Sequence, residues 1–227
     1  MLTRILPQLY ALTFPEVAAV NVYIWLDGRE VTLIDSGVPG SAPAIAAVLV
    51  ELGRRPADVV RLIVTHGHVD HYGSAPDVAG WGAEILAHVE DAPVLRGDVP
   101  KPEPTLRDWE RPIYEAIPSR PAPTVTVDRE LRDGDVLDFG GGARIVAIPG
   151  HTHGSIAVHL PAHRVLFVGD TVANVGGYTV PGTFNVDCDA VGRHAAAIRD
   201  HDVDVVCVGH GEPLFGAALT RWRDAGS

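Results

Sequence analysis

The segment Thr65-His66-Gly67-His68-Val69-Asp70-His71-Tyr72-Gly73 decides how the rest of the chain is read. Three histidines and one aspartate fall within six residues. Imidazole nitrogen and carboxylate oxygen are ligands that Zn²⁺ accepts. The segment follows Arg61–Thr65, a short β-branched run expected as a strand, and precedes Gly73–Ala79, expected as a short helix. A loop placed there can turn successive side chains toward one point, whereas a strand would alternate them across its two faces. A hydrogen-bonded polar turn would account for one histidine. It does not account for four potential ligands at this density, because clustered imidazoles repel once protonated. Metal binding is therefore expected.

Three later positions repeat the same placement. His151 comes after the strand pattern Arg144–Ile148 and the turn Pro149-Gly150. Asp170 follows Val165–Val168 in Gly169-Asp170-Thr171, and His210 follows Val205–Val208 in Gly209-His210-Gly211. Each potential ligand stands past the C-terminal end of a strand and beside glycine, which permits tight turns and close approach.

The ordered set His66-x-His68-x-Asp70-His71, then His151, Asp170 and His210, resembles the signature of the metallo-β-lactamase superfamily, and Leu33-Ile34-Asp35-Ser36-Gly37 is similar to that family's first motif. The resemblance runs from about residue 18 to 215. It implies a four-layer αββα sandwich of mixed α/β (α+β) class, with two metals at one edge of the sheets. Carried over, it implies that His66, His68 and His151 hold the first metal, that Asp70, His71 and His210 hold the second, and that Asp170 bridges them. Asp35 would support the site without binding metal, since a carboxylate that orients a histidine ligand is a usual outer partner. Two ions roughly 3.5–4 Å apart can clamp the attacking and leaving oxygens, and bound water acidifies toward a pKa of about 7. Asp70 is then expected as the catalytic residue that steers the hydroxide, with no serine or cysteine nucleophile needed. Gly154-Ser155 and Cys188 are read as bystanders. Two divalent ions are expected, Zn²⁺ first, with iron or manganese also suited to these ligands.

The remaining features narrow the class. At 227 residues, 46% hydrophobic and 21% charged, the chain fits one globular domain spanning 1–227. A net charge of −11 argues against nucleic acid as a partner. The two cysteines make neither a disulfide framework nor a CxxC zinc pattern, and Cys207 is expected as a buried thiol in its strand. No apolar run reaches a membrane span of roughly 18–20 residues, and Met1–Tyr10 lacks a signal-peptide pattern, so a cytoplasmic chain with no membrane partner is expected.

Outward from the ligands, Val20–Leu26 and Glu30–Ile34 read as strands joined at Asp27-Gly28, and Ser41 as the cap of a helix through Leu52. Glu84–Ala87, Ala143–Ile148, Ile156–Leu160, Arg164–Val168 and Val203–Val208 read as strands, Asp189–Arg199 and Leu214–Arg223 as helices. From about 95 to 123, seven prolines with Trp109 and Tyr114 mark an insert around one short helix, either a lid or a plain surface loop, with a homodimer contact as another use for it. Tyr178 and Phe184 follow Asp170 in a glycine-rich loop, and His153 stands near His151 without being a ligand. The expected reaction is hydrolysis of a small carbonyl substrate: a lactone or thioester foremost, an ester or β-lactam-like amide next. The competing expectations are a mononuclear iron oxidoreductase of the persulfide dioxygenase type and a non-catalytic metal-binding domain.

Overall fold

The structure, a computed structural model, describes every residue except Ser119, Asp200, 217–220 and 224–227. Among the described residues, two sheets carry most of the chain. In the first, β1 (Leu2–Leu6), β2 (Leu9–Phe14), β3 (Val20–Asp27), β4 (Glu30–Ile34), β5 (Val59–Ile63), β6 (Glu84–His88) and β7 (Arg129–Leu131) lie side by side in chain order. The strands from β1 to β4 pair antiparallel; those from β4 to β7 pair parallel. The second sheet comprises β8 (Val136–Leu137), β9 (Ala143–Ala147), β10 (Ile156–Leu160), β11 (Val165–Gly169), β14 (Val205–Val208) and β15 (Leu214–Phe215), in that spatial order. Its β11–β14 pair is parallel, and the other pairs are antiparallel.

The strand sequences explain the layering. Side chains alternate along a strand, so one buried on both faces must be apolar throughout. In β11 Val165 and Phe167 point between the sheets, while Leu166 and Val168 point outward to a second apolar layer. In β14 Val205 and Cys207 face inward, Val206 and Val208 outward. The outward faces are covered by helices. α1 (Ala42–Glu51), α3 (Ala75–Gly80) and α4 (Ala92–Arg96) supply Ile45, Leu49, Val78 and Leu95 over the first sheet. On the second, α6 (Cys188–Ile198) supplies Ala195 and Ile198. The result is the four-layer αββα sandwich expected from the sequence. No described helix is long and apolar enough to cross a membrane.

Several expectations shift. The β3–β4 turn is Gly28-Arg29, with Asp27 paired to Glu30. Ser41 occupies the start of α1, but its hydroxyl makes no cap bond. Leu214–Phe215 is a strand and not the start of a helix: it pairs with Val205–Val206, and the ladder overrides helical propensity. The rest of that expected helix lies partly outside the described residues. The glycine-rich stretch after Asp170 is a hairpin, β12 (Val172–Val175) and β13 (Tyr178–Pro181), turning at Gly176-Gly177.

Candidate metal centre

The sandwich brings strand ends from both sheets to one edge. Asp35 follows β4 and His66 follows β5; Asp170 follows β11 and His210 follows β14. His71 lies in a single helical turn, α2 (Val69–Tyr72), that begins just after His68. His151 enters from the loop between β9 and β10. The structure thus gathers all seven residues singled out in the sequence. Their ligand atoms form three clusters, each with every atom within 4.8 Å of the others: His66/His68/His151, His66/His71/Asp170 and Asp70/His71/His210.

Asp170 stands at the middle. Its carboxylate oxygens lie 4.0 Å from His66 Nε2, 3.3 Å from His71 Nε2, 3.6 Å from His151 Nε2 and 3.3 Å from His210 Nε2. Asp70 Oδ2 lies 3.3 Å from His210 Nε2 and 3.8 Å from His71 Nε2. Gly209 lets Asp170 approach, because a Cβ at that position would collide with Asp170 Oδ1 and crowd His71.

The outer hydrogen bonds fix which nitrogen of each ring faces this space. His71 Nδ1 donates to Asp35 Oδ2 at 2.8 Å. Asp35 also accepts from the Thr65 amide and hydroxyl, both at 2.8 Å, so the Thr65 oxygen is left to accept from His66 Nδ1 at 3.0 Å. Asn185 donates through Nδ2 to the Gly182 carbonyl at 2.7 Å; its Oδ1 then accepts from His151 Nδ1 at 3.0 Å. His210 Nδ1 donates to the Ala18 carbonyl at 2.9 Å. In four rings Nδ1 is therefore engaged from behind and Nε2 is turned toward Asp170. His68 presents Nδ1 instead, 2.9 Å from His151 Nε2. Two rings meeting nitrogen to nitrogen, and a buried His66 Nε2 and Asp170 Oδ1 without hydrogen bonds, are what a metal-ligand set looks like without its ion. The donor set fits divalent metal.

Charge divides the centre in two. Burial, with His71 and His151 close by, keeps His66 well below the ordinary imidazole pKa; burial does the same for His68 and lowers His151. Around the other half the carboxylates win. Burial opposes protonation of His71, but Asp170, Asp70 and Asp35 outweigh it and raise its pKa well above normal. His210, likewise opposed by burial, is pushed up to about 10 by Asp170 and Asp70. Asp70 is disfavoured as an anion by burial, yet His71 and His210 hold its pKa well below the carboxylate range.

Several supports escaped the sequence reading. Asp91, 2% exposed, precedes α4 but does not cap it. Its carboxylate accepts from the Gly67 amide at 2.7 Å, the Gly154 amide at 2.9 Å and the Thr152 hydroxyl at 2.6 Å. It thereby ties the loop bearing His66 and His68 to the loop bearing His151. Ser155, read as a bystander, accepts the Thr152 amide at 2.9 Å and completes that turn. Asn185 orients His151, as described above. Asn21, fully buried, donates to the Val208 and Gly211 carbonyls on either side of His210. Asp35 alone was expected; its φ of +61° is a left-handed conformation that costs energy and aims the carboxylate at Thr65 and His71.

Other singled-out residues sit apart. His153 is exposed. Tyr178 stacks under the Arg223 guanidinium, 3.4 Å from its ring centre. The proline-rich insert, with α5 (Arg111–Ala116) its one helix after α4, is fastened to the loop that holds Asn185. The Thr105 amide donates to the Asn185 carbonyl at 2.7 Å, and buried Glu110 accepts from the Phe184 amide at 3.2 Å. It therefore lies beside the centre and is not a detached surface loop.

Comparison with known proteins agrees with this architecture. The sequence profile of the Metallo-beta-lactamase superfamily matches residues 15–210. The chain is 30% identical over 217 residues to the Bacillus subtilis (strain 168) protein YobT, covering 88% of this chain and 87% of that one. It is 34% identical over 163 residues to the acyl-coenzyme A thioesterase MBLAC2 of Gallus gallus, covering 67% of this chain and 57% of the relative. The metallo-beta-lactamase family protein TTHA1429 of Thermus thermophilus superposes with a TM-score of 0.71 at 26% identity, over 96% of this chain and 78% of that one. The ordered ligand residues, the layered sandwich that gathers them and the match over residues 15–210 lead to one conclusion: the chain belongs to the metallo-beta-lactamase superfamily.

Proposed function

We propose that this chain is a metal-dependent hydrolase of small activated carbonyl substrates, thioesters foremost, with a binuclear centre loaded by divalent ions, zinc first. His66, His68 and His151 would hold one ion, Asp70, His71 and His210 the other, and Asp170 would lie between them. The observation that carries the reading is the convergence of four Nε2 atoms on Asp170, each ring locked from behind through Nδ1. The second cluster is braced as firmly as the first, through Asp35 and the Ala18 carbonyl, which favours two ions over the single iron of a dioxygenase. Similarity to a relative named as a thioesterase supports a thioester over a lactone.

When bound, such ions polarise a carbonyl oxygen and lower the pKa of water toward about 7. The chain's own residues do the rest. Asp70, ionised between His71 and His210 and with its side chain 30% exposed, accepts a hydrogen bond from the attacking water and orients it. Asp170 holds the two clusters at a fixed separation. Cys188, the thiol outside the core, donates to the Thr105 carbonyl at 3.6 Å and takes no part as nucleophile. A panel of thioesters, lactones and activated esters tests the reading. Thioester cleavage that a chelator abolishes and added zinc restores is the expected result; a metal-replete protein inert on the whole panel would overturn it.

A further inference from the structure

Lys101 is the only lysine among 227 residues, in a chain of net charge −11 with 29 acidic residues. Such a cation would ordinarily find a carboxylate. Among the described residues none pairs with it. The residue is half-buried, and its ammonium instead donates to the Tyr114 hydroxyl at 3.0 Å while lying 5.3 Å from the centre of that ring. The Tyr114 ring in turn packs on Phe184, ring centres 5.3 Å apart.

Phe184 ties this cluster to the metal centre. It has φ of +58°, a conformation an aromatic residue rarely accepts, and its amide is held by buried Glu110. Strain of that kind is kept where the surroundings enforce it, which is common at ligand sites. The next residue, Asn185, orients His151, whose Nε2 meets His68 Nδ1. An unpaired cation, a phenol whose proton is free to donate outward and an aromatic wall thus stand together at the rim of a centre otherwise dominated by carboxylates.

We propose that Lys101, backed by Tyr114 and Phe184, is the specificity-determining residue that binds an anionic group, carboxylate or phosphate, on the substrate hydrolysed at the adjoining centre. The ammonium keeps two hydrogens after donating to Tyr114, and with the phenol it offers a set of donors suited to such an oxyanion. The inference rests on the hydrolase reading, but its binding component can be tested without turnover.

The test compares metal-loaded full-length wild type with Lys101→Met and Lys101→Arg. In the first arm, calorimetry measures binding of S-methylglutathione, which carries carboxylates, and S-methyl-coenzyme A, which carries phosphates. A neutral N-acetylcysteamine methyl thioether is the control. At least one anionic ligand is expected to bind wild type, to weaken about 10–100-fold in Lys101→Met and to recover in Lys101→Arg, with no such pattern for the control. Which of the two responds identifies the source of the anion. In the second arm, for the matching thioester, the loss falls on KM more than on kcat. If wild type cleaves no thioester, the hydrolase reading fails while the first arm still decides the role of Lys101. Equal affinity of wild type and Lys101→Met for both anionic ligands, or equal weakening of the neutral control, overturns the inference.

Discussion

Replacing Asp91 with asparagine isolates what one buried carboxylate contributes to the centre without touching a ligand. In the native chain its two oxygens accept three hydrogen bonds, from Gly67, Gly154 and Thr152. The asparagine side chain would keep one oxygen, and the natural choice is to keep it facing Gly67 and Thr152. The new amide nitrogen then confronts the Gly154 amide donor to donor. One buried N–H left without an acceptor costs about 1–3 kcal/mol, so D91N should unfold in urea with its stability reduced by about that amount. The displaced loop carries His151 toward or away from His66 and His68, and outer-partner changes typically lower metal affinity about 10–100-fold. The effect should be confined to the first site, because Asp91 has no bond to the loops that carry Asp170 or His210, nor to the helical turn of Asp70 and His71. Competition titration with a chromophoric chelator resolves the two affinities, and urea melts of the metal-free protein give the stability change separately. Stability within about 0.5 kcal/mol of wild type together with unchanged affinity at both sites would refute the assignment of Asp91 as the tie between the two loops.

Two further predictions bear on the centre. Gly209→Ala places a methyl group against Asp170 Oδ1 and His71, so Asp170 must move; both ions should be lost, whereas Gly80→Ala, with open space at its Cβ, should retain both in elemental analysis. Zinc added to stripped protein should release protons, because His71 and His210 carry raised pKa values and metal and proton compete for the same Nε2. The apparent affinity of the second site should therefore rise with pH from 6 to 8, by about tenfold per unit for each proton displaced, and level off above the value of about 10 held by His210. Calorimetry in buffers of different ionisation enthalpy reads the proton count directly.

The ligands were legible in the sequence because metal sites need several donors of few types, and here four of them sit in one six-residue run. The strands leading to Asp170 and His210 were legible for a related reason: both faces of β11 and β14 are buried, so they appear as continuous apolar runs. Asp91, Asn185 and Asn21 were not, since each acts alone from a loop or strand distant in sequence and no spacing rule connects it to its partner. A usable signal existed for β12–β13: Val172 to Val180 reads as β-branched flanks around Gly176-Gly177, the pattern of a two-residue hairpin turn. The start of the expected Leu214–Arg223 helix misled, because the pairing of Leu214–Phe215 with Val205–Val206 that makes it a strand is not local. The insert's prolines announced irregular structure correctly but could not say where it docks, which depends on Glu110 and Thr105 reaching a loop far onward in the chain.

Elemental analysis of metal per chain is the most direct test of a binuclear centre, made on wild type and on His210→Ala in parallel after loading with zinc and removal of excess. Near two ions in wild type and near one in His210→Ala is the result predicted by a centre split between His66/His68/His151 and Asp70/His71/His210. A single ion in both proteins would contradict it.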